Sequence, residues 1–137
     1  MAHIGITDKT IAVLQKSLDL RTQKQEVIAA NIANAETPGY SARKISFEDN
    51  LRKAISKPEL AGQKRNPKHF SIGTGGISTV QGKVTKELNT SALGDGNTVS
   101  VDDEMFDLAE NQLLYEASSQ ILKKKFSMLK FAVSDGR

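Results

Sequence analysis

The stretch that decides the fold is Ala30-Asn31-Ile32-Ala33-Asn34-Ala35-Glu36-Thr37-Pro38-Gly39-Tyr40. Its last four residues have the chemistry of a type II turn, because Pro38 presets φ at the second turn position and Gly39 tolerates a positive φ at the third. Pro38 also pushes Thr37 out of helical geometry, and Asn34 tolerates the left-handed conformation that closes many helices. The stretch therefore predicts that a helix ends near Asn34 and that a turn then redirects the chain.

One long helix is predicted before this turn, over residues 8–33, with Asp8 or Thr7 as its N-cap. Apolar residues recur there at alternating intervals of three and four, a heptad pattern interrupted by Arg21 and Gln25. The apolar members of this stripe are Ile11, Leu14, Leu18, Ile28 and Ile32. A neighbouring stripe contains Val13, Leu20 and Val27. Two adjacent stripes are typical of a helix with more than one neighbour, in a coiled-coil-like pair or in a small bundle.

A second long helix is predicted over residues 102–134, with acidic residues in its first turn and lysines near its end, as the helix dipole favours. Its heptad stripe runs without a break and contains two polar positions, Gln112 and Ser119. The apolar members are Val101, Met105, Leu108, Tyr115, Leu122, Phe126, Leu129 and Val133. Heptad stripes mediate helix association, so both stripes are predicted to supply helix-packing and assembly residues.

Between these helices, residues 34–100 are predicted to hold the turn, a short helix over residues 47–56 and a flexible middle. Residues 58–100 contain most of the glycines, and residues 77–88 could form a small β-hairpin with Val80 and Val84 as apolar members. The predicted fold class is mainly α. It is a single domain over residues 1–137, in which the two long helices pair as a coiled-coil-like hairpin beside a mostly irregular, Gly-rich middle.

Composition excludes several kinds of site. The 137 residues contain no cysteine, which excludes disulfides and thiolate chemistry. The two histidines, His3 and His69, have no second metal ligand at helical spacing. The glycines from Gly73 to Gly82 do not have the spacing of a phosphate loop. The sequence therefore predicts no catalytic residue, no metal site and no cofactor.

Charge and hydropathy constrain the possible partners. The net charge of +3 does not require nucleic acid, and no apolar run approaches the length of a membrane span. The first residues lack the basic start and apolar core of a secretory signal. If the chain leaves the cytoplasm, we expect it to use another export route.

Three segments of the chain resemble one family of proteins. The segment from Asn31 to Tyr40 resembles the motif shared by bacterial flagellar rod, hook and hook-associated proteins. The segment Asp95-Gly96-Asn97-Thr98-Val99, which runs into residues 102–105, resembles the proximal rod proteins of the FlgB family. Residues 108–130 carry further similarity to the same family, and the chain has the length of this short member.

This resemblance implies a structural subunit of the bacterial flagellum, located in the basal-body rod and required for motility. Members of the family are not enzymes, are exported by the flagellar type III apparatus and self-assemble helically into a rod that transmits torque through the periplasm. The implied partners are further copies of the chain, other rod proteins, the rod–ring adaptor and the export apparatus. Neither nucleic-acid binding nor direct membrane insertion is implied.

Six residues match the shared motif: Asn31, Asn34, Thr37, Pro38, Gly39 and Tyr40. They are predicted to form the turn after the first helix, with Asn31 and Asn34 bonded to backbone groups of this turn or of a neighbouring subunit. Three further identities are compatible with the sequence. They are a different rod or axial family member, a small basic nucleic-acid-binding protein and a coiled-coil adaptor unrelated to flagella.

Overall fold

The computed structural model describes residues 4–56, 76–88 and 94–134. Its helices are α1 (Ile4–Ala33), α2 (Glu48–Ser56) and α3 (Val101–Ser134), with a short 3₁₀ helix at Ile77–Thr79. Its strands are β1 (Arg43–Ser46) and β2 (Lys83–Lys86). The fold is mainly helical, with two long helices and one small antiparallel sheet, which confirms the predicted fold class.

The two long helices pack against each other in opposite directions. Hydrogen bonds join Asn31 near the end of α1 to Glu104 near the start of α3, and Arg21 further back in α1 to Asn111 further along α3. At 1.5 Å per residue, α1 is about 45 Å long and α3 about 51 Å long. The pair therefore forms an elongated hairpin whose closed end lies beside the turn at residues 34–40.

The ends of α1 differ in part from the sequence-based expectation. The helix ends at Ala33 as predicted, but it already includes Ile4, so Thr7 and Asp8 lie inside it and neither is its N-cap. Residues 4–7 contain no proline, so nothing there prevents the helix from beginning earlier. Among the described residues only glycines have positive φ, so Asn34 does not adopt the left-handed conformation.

A small layer packs on one side of α1. Strands β1 and β2 pair antiparallel, with Ile45 opposite Val84, although they lie far apart in the sequence and are not joined by a tight turn. Leu20 of α1 is completely buried against Phe47, Leu51 and Val80. The two stripes of α1 predict that this helix has more than one neighbour. Leu20 belongs to the second stripe, and the neighbour on that side is the layer formed by the sheet and α2.

At several positions along α3, the residue that faces α1 comes one place earlier in the sequence than the residue in the predicted stripe. The buried or half-buried residues of α3 are Glu104, Asp107, Leu108, Asn111, Ser118, Ser119, Leu122 and Lys125. This set keeps the heptad spacing but contains Glu104 and Asn111 in place of Met105 and Gln112, which are exposed. Large apolar residues occur all round α3, so their periodicity does not single out the side that faces α1.

Candidate functional site

The end of α1 and the start of α3 meet in a region that we call the helix junction, formed by residues 31–43 and 95–104. Its turn has the predicted geometry, because Tyr40 N donates to Thr37 O over 3.2 Å and Gly39 has a φ of +72°. Gly39 N also donates to Asp95 O over 2.9 Å, and Thr98 N donates to Tyr40 O over 3.1 Å. The turn is therefore attached by backbone hydrogen bonds to the segment that leads into α3.

Asn31 lies at the centre of the helix junction and is completely buried. Its Nδ2 donates to Arg43 O over 2.7 Å and to Glu104 Oε1 over 2.9 Å. Its Oδ1 accepts hydrogen bonds from Arg43 N over 3.0 Å and from the Tyr40 hydroxyl over 3.3 Å. An asparagine amide has two donor hydrogens and two acceptor lone pairs, so the side chain has a full set of partners. One side chain thus connects α1, the turn, β1 and α3.

Asn97 holds the other side of the helix junction. Its Nδ2 lies 2.9 Å from Asn34 O, 2.8 Å from Ala35 O and 2.9 Å from Thr37 O. Its Oδ1 accepts a hydrogen bond from Val99 N over 2.8 Å. All three carbonyl groups belong to the turn that follows α1, so a side chain about 60 residues further along the chain holds this turn in place.

The remaining motif residues support the turn locally. Asn34 Nδ2 donates back to Ala30 O over 2.7 Å, and Thr37 Oγ1 donates to Asn34 Oδ1 over 3.2 Å. Pro38 is exposed and lies at the second position of the turn. The structure therefore brings Asn31, Asn34, Thr37, Pro38, Gly39 and Tyr40 together in one region, with backbone partners inside this chain.

The carboxylate of Glu104 is only 4% exposed, and its pKa is clearly shifted. Burial raises its pKa above the usual value, and the negative charges of Asp107 and Glu87 act in the same direction. The hydrogen bond from Asn31 and the charge of Lys44 lower the pKa but do not cancel the effect of burial. The free energy of the junction is therefore sensitive to the protonation of Glu104.

Arg21 and Asn111 form a second polar contact inside the helix hairpin. Asn111 is completely buried, and its Nδ2 donates to Arg21 O over 2.9 Å. Arg21 Nη1 donates to Asn111 Oδ1 over 3.4 Å, and the guanidinium carbon lies 5.6 Å from the centre of the Phe47 ring. This distance suits a cation–π contact. The contact connects the interface between the long helices to the apolar cluster around Leu20.

The predicted helix-packing residues separate into two groups in the single chain. The buried or half-buried ones are Ile11, Leu14, Leu18, Ile28, Ile32, Leu108 and Leu122. The exposed ones are Met105, Tyr115, Phe126, Leu129 and Val133, with exposed fractions from 39% for Tyr115 to 80% for Val133. The first group packs within the chain, whereas the second group is available for contacts with other molecules. Their role in assembly stays a prediction.

The residues that sequence reasoning did not identify as functional are Asn97, Glu104 and Asn111. Asn97 and Glu104 lie in the segments that carry the family resemblance, and the sequence Asp95-Gly96-Asn97 is typical of a side-chain-stabilised turn. Asn97 N donates to Asp95 Oδ1 over 2.9 Å, as such a turn requires. The local turn could be predicted from this signal, but the partners of Asn97 in the turn that follows α1 could not.

The helix junction is built to hold helices together, since its buried polar groups are bonded to one another. Within residues 4–56, 76–88 and 94–134, no three carboxylate or imidazole side chains form a group that could hold a metal ion. No helix in these same ranges is long and apolar enough to cross a membrane. The arrangement offers fixed geometry and a large exposed apolar surface on α3.

Comparison with known proteins gives a consistent result. Residues 12–40 match the model of a family described as "Flagella basal body rod protein". The chain is 36% identical over 128 residues to the flagellar basal body rod protein FlgB of Bacillus subtilis, covering 93% of this chain and 95% of the relative. It is 34% identical over 122 residues to FlgB of Aeromonas hydrophila (89% and 90%). It is 35% identical over 120 residues to FlgB of Escherichia coli (84% and 86%).

Proposed function

The chain belongs to the FlgB family of flagellar basal-body rod proteins, and from that premise we infer that it is a structural subunit of the rod. Its place is the flagellar basal body, where it assembles with other rod components. The relatives do not favour a coiled-coil adaptor unrelated to flagella, a nucleic-acid-binding protein or a different axial protein. No catalytic role is proposed for the chain.

The observation that best supports this function is a helix hairpin that is held together by buried hydrogen bonds and that also exposes a large apolar surface. The helix junction attaches α1 to α3 through the fully bonded amide of Asn31 and through the three carbonyl groups that contact Asn97. Meanwhile α3 exposes Phe106, Leu113 and Phe131 by 74%, 68% and 66%. A rigid element with an uncovered apolar side suits a subunit that completes its packing in a polymer.

We also propose a more precise location and set of contacts. The subunit is assigned to the proximal rod, where it would contact further copies of itself and the rod–ring adaptor and would transmit torque. Export through the flagellar type III apparatus is also proposed, without contact with nucleic acid and without insertion into a membrane. The exposed predicted residues of α3, together with the motif residues of the turn, are proposed as the assembly residues.

The experiment that tests this function is deletion of the gene, followed by electron microscopy of isolated basal bodies. We expect rings that lack a rod, together with loss of swimming, and restoration of both by the intact gene. Complete rods and normal swimming in the deletion strain would contradict the assignment.

A further inference from the structure

Arg21 carries a buried positive charge that its neighbours match only in part. The residue is 9% exposed, and its Nε has no hydrogen-bond partner in the part of the chain that the structure describes. Its Nη1 makes a long hydrogen bond of 3.4 Å to Asn111, which is neutral. No carboxylate of residues 4–56, 76–88 or 94–134 forms an ion pair with Arg21. A buried charge without a counter-charge costs free energy, so this guanidinium is suited to bind an anion.

A cavity of about 370 Å³, which we call the Arg21 cavity, lies beside this guanidinium between α1 and α2. Ser17 and Arg21 line its α1 side, about one helical turn apart. Phe47, Leu51 and Ile55 line its α2 side at intervals of four residues, the spacing that places side chains on one face of a helix. Phe47 and Leu51 are buried, whereas Ile55 is 42% exposed. The apolar wall therefore runs from the buried guanidinium, 5.6 Å from the centre of the Phe47 ring, to the surface.

The charged residues around the Arg21 cavity are two arginines and one glutamate. Arg52 and Glu48 are exposed, and each has a partner of its own. Arg52 pairs with Asp49 at 3.7 Å, and Glu48 accepts a hydrogen bond from Phe47 N over 3.1 Å. Because water and salt screen exposed charges, the buried Arg21 has the larger effect on which ligands bind. Its charge disfavours cations and favours an anion.

We propose that the Arg21 cavity binds a medium-chain fatty acid, with the carboxylate on Arg21 and the methylene chain along Phe47, Leu51 and Ile55. A guanidinium and a carboxylate form strong charge-assisted hydrogen bonds, and Nε supplies a donor without a partner. The apolar wall extends over eight residues at helical spacing, about 12 Å, so it can contact an extended methylene chain along its length.

The depth of the Arg21 cavity favours a fatty acid over an acidic side chain of another protein. Glutamate has a short side chain, whereas about 12 Å of apolar wall separate the Phe47 end of the cavity from the Ile55 end. A glutamate that reached Arg21 would therefore bring its own backbone against this wall, where amide groups would lack hydrogen-bond partners. A methylene chain has no polar group to satisfy there.

The test measures binding to the purified chain by isothermal titration calorimetry at about pH 7, where a carboxylate is charged. The probes are octanoate, octanol with the same chain but no charge, octylammonium with the opposite charge, and acetate with the charge but no chain. We expect octanoate to bind about tenfold more tightly than octanol, because only octanoate adds a charge-assisted hydrogen bond. Octylammonium and acetate are expected to bind more weakly than either. Methyl NMR shifts of Leu51 and Ile55 on addition of octanoate would locate the site.

Arg21→Gln tests the role of the buried charge. This change is expected to remove the preference for octanoate, so that octanoate binds about tenfold more weakly while the affinity for octanol changes little. The matched control is Lys86→Gln, which also removes one positive charge but lies on β2, outside the lining of the Arg21 cavity. It is expected to keep the full preference.

Ser17→Glu decides the question if Arg21→Gln does not fold. Residue 17 lies four residues before Arg21 on α1 and lines the same cavity, so a glutamate there supplies the chain's own carboxylate to the guanidinium. We expect this variant to fold and to bind octanoate no more tightly than octanol. Ser17→Gln has the same size without the charge and is expected to keep the preference for octanoate.

Three results would overturn the proposal. The first is equal affinity of the wild type for octanoate and octanol, or NMR shifts confined to other methyl groups. The second is a preference for octanoate that persists in Ser17→Glu. The third is binding of N-acetylglutamate amide as tight as that of octanoate, which would show that the cavity accepts an acidic protein side chain instead. These results leave the rod function intact, since gene deletion tests that function separately.

Discussion

The side-chain amide of Asn31 donates a 2.9 Å hydrogen bond to the carboxylate of Glu104, although 73 residues separate them in the sequence. Both side chains are buried, and they belong to different long helices. Asn31 also binds both backbone groups of Arg43. This one amide therefore fixes the position of α3 relative to α1 and to the start of the small sheet.

Replacement of Asn31 by alanine is expected to destabilise the chain by about 1–3 kcal/mol, because buried partners lose their hydrogen bonds. The measurement is chemical unfolding of the purified chain, followed by circular dichroism. Asn34→Ala is the matched control, since Asn34 is less buried and bonds mainly within its own turn. Equal losses of stability in the two variants would contradict the central position of Asn31.

The contacts of Asn97 predict which of two substitutions at this position lowers the melting temperature more. Its Nδ2 faces three carbonyl oxygens, so Asn97→Asp would place a negative oxygen against them. We expect Asn97→Asp to lower the melting temperature more than Asn97→Ala does, since alanine removes hydrogen bonds without adding repulsion. Asp95→Asn is the control, because it keeps an acceptor for Asn97 N. A smaller effect for aspartate than for alanine would refute this geometry.

The pKa of Glu104 predicts how stability depends on pH. Because burial raises this pKa, the folded chain binds a proton more readily than the unfolded chain does. The contribution of Glu104 to stability is therefore complete below its ordinary pKa of 4.5 and is lost as pH rises through the raised folded value. Glu104→Gln keeps an acceptor for Asn31 without the charge, so it is expected to gain stability relative to the wild type as pH rises.

To check this, the unfolding free energies of the wild type and of Glu104→Gln would be compared at about pH 4 and at about pH 7, which lie below and above the ordinary pKa of a glutamate. Taking the difference between the two proteins at each pH removes the effects of the other carboxylates. A difference that does not change with pH, or that changes in favour of the wild type, would contradict the prediction.

Gly39 adopts a φ of +72°, and a Cβ added there would have no heavy atom within 4 Å. Gly39→Val is therefore expected to cost about 1–2 kcal/mol through backbone strain alone and to impair rod assembly. Swimming-plate diameter and rod counts in electron micrographs would measure this effect. Gly76→Val is the matched control, since Gly76 has a φ of −60° and similar open space. Normal rods in the Gly39 variant would argue against the need for this turn.

Arg21 and Asn111 allow a double-mutant cycle across the hairpin. Asn111→Leu leaves the buried guanidinium of Arg21 without its bond to Asn111. This change should therefore lower the free energy of unfolding more in the wild type than in a chain that already carries Arg21→Leu. We expect a coupling of about 0.5–3 kcal/mol between the two sites, measured by chemical unfolding. Additive effects would show that the two residues do not interact energetically.

The turn and the end of the first helix could be predicted because their chemistry is local. Pro38 and Gly39 specify a turn by themselves, and α1 ends at Ala33 just before it. The partners of Asn97 and Glu104 could not be predicted in this way, because they lie about 60 to 73 residues away. The side of α3 that faces α1 could not be predicted for another reason. Apolar residues surround α3, and buried polar residues at 104 and 111 mark its packed side.

The most direct test of the central claim is an electron cryo-microscopy structure of the intact basal body from the source bacterium, at a resolution that shows side chains. We expect this chain to form part of the rod, with α1 and α3 paired and with Asn31 in contact with Glu104. A rod that lacks this chain, or one in which its two long helices are separated, would contradict that claim.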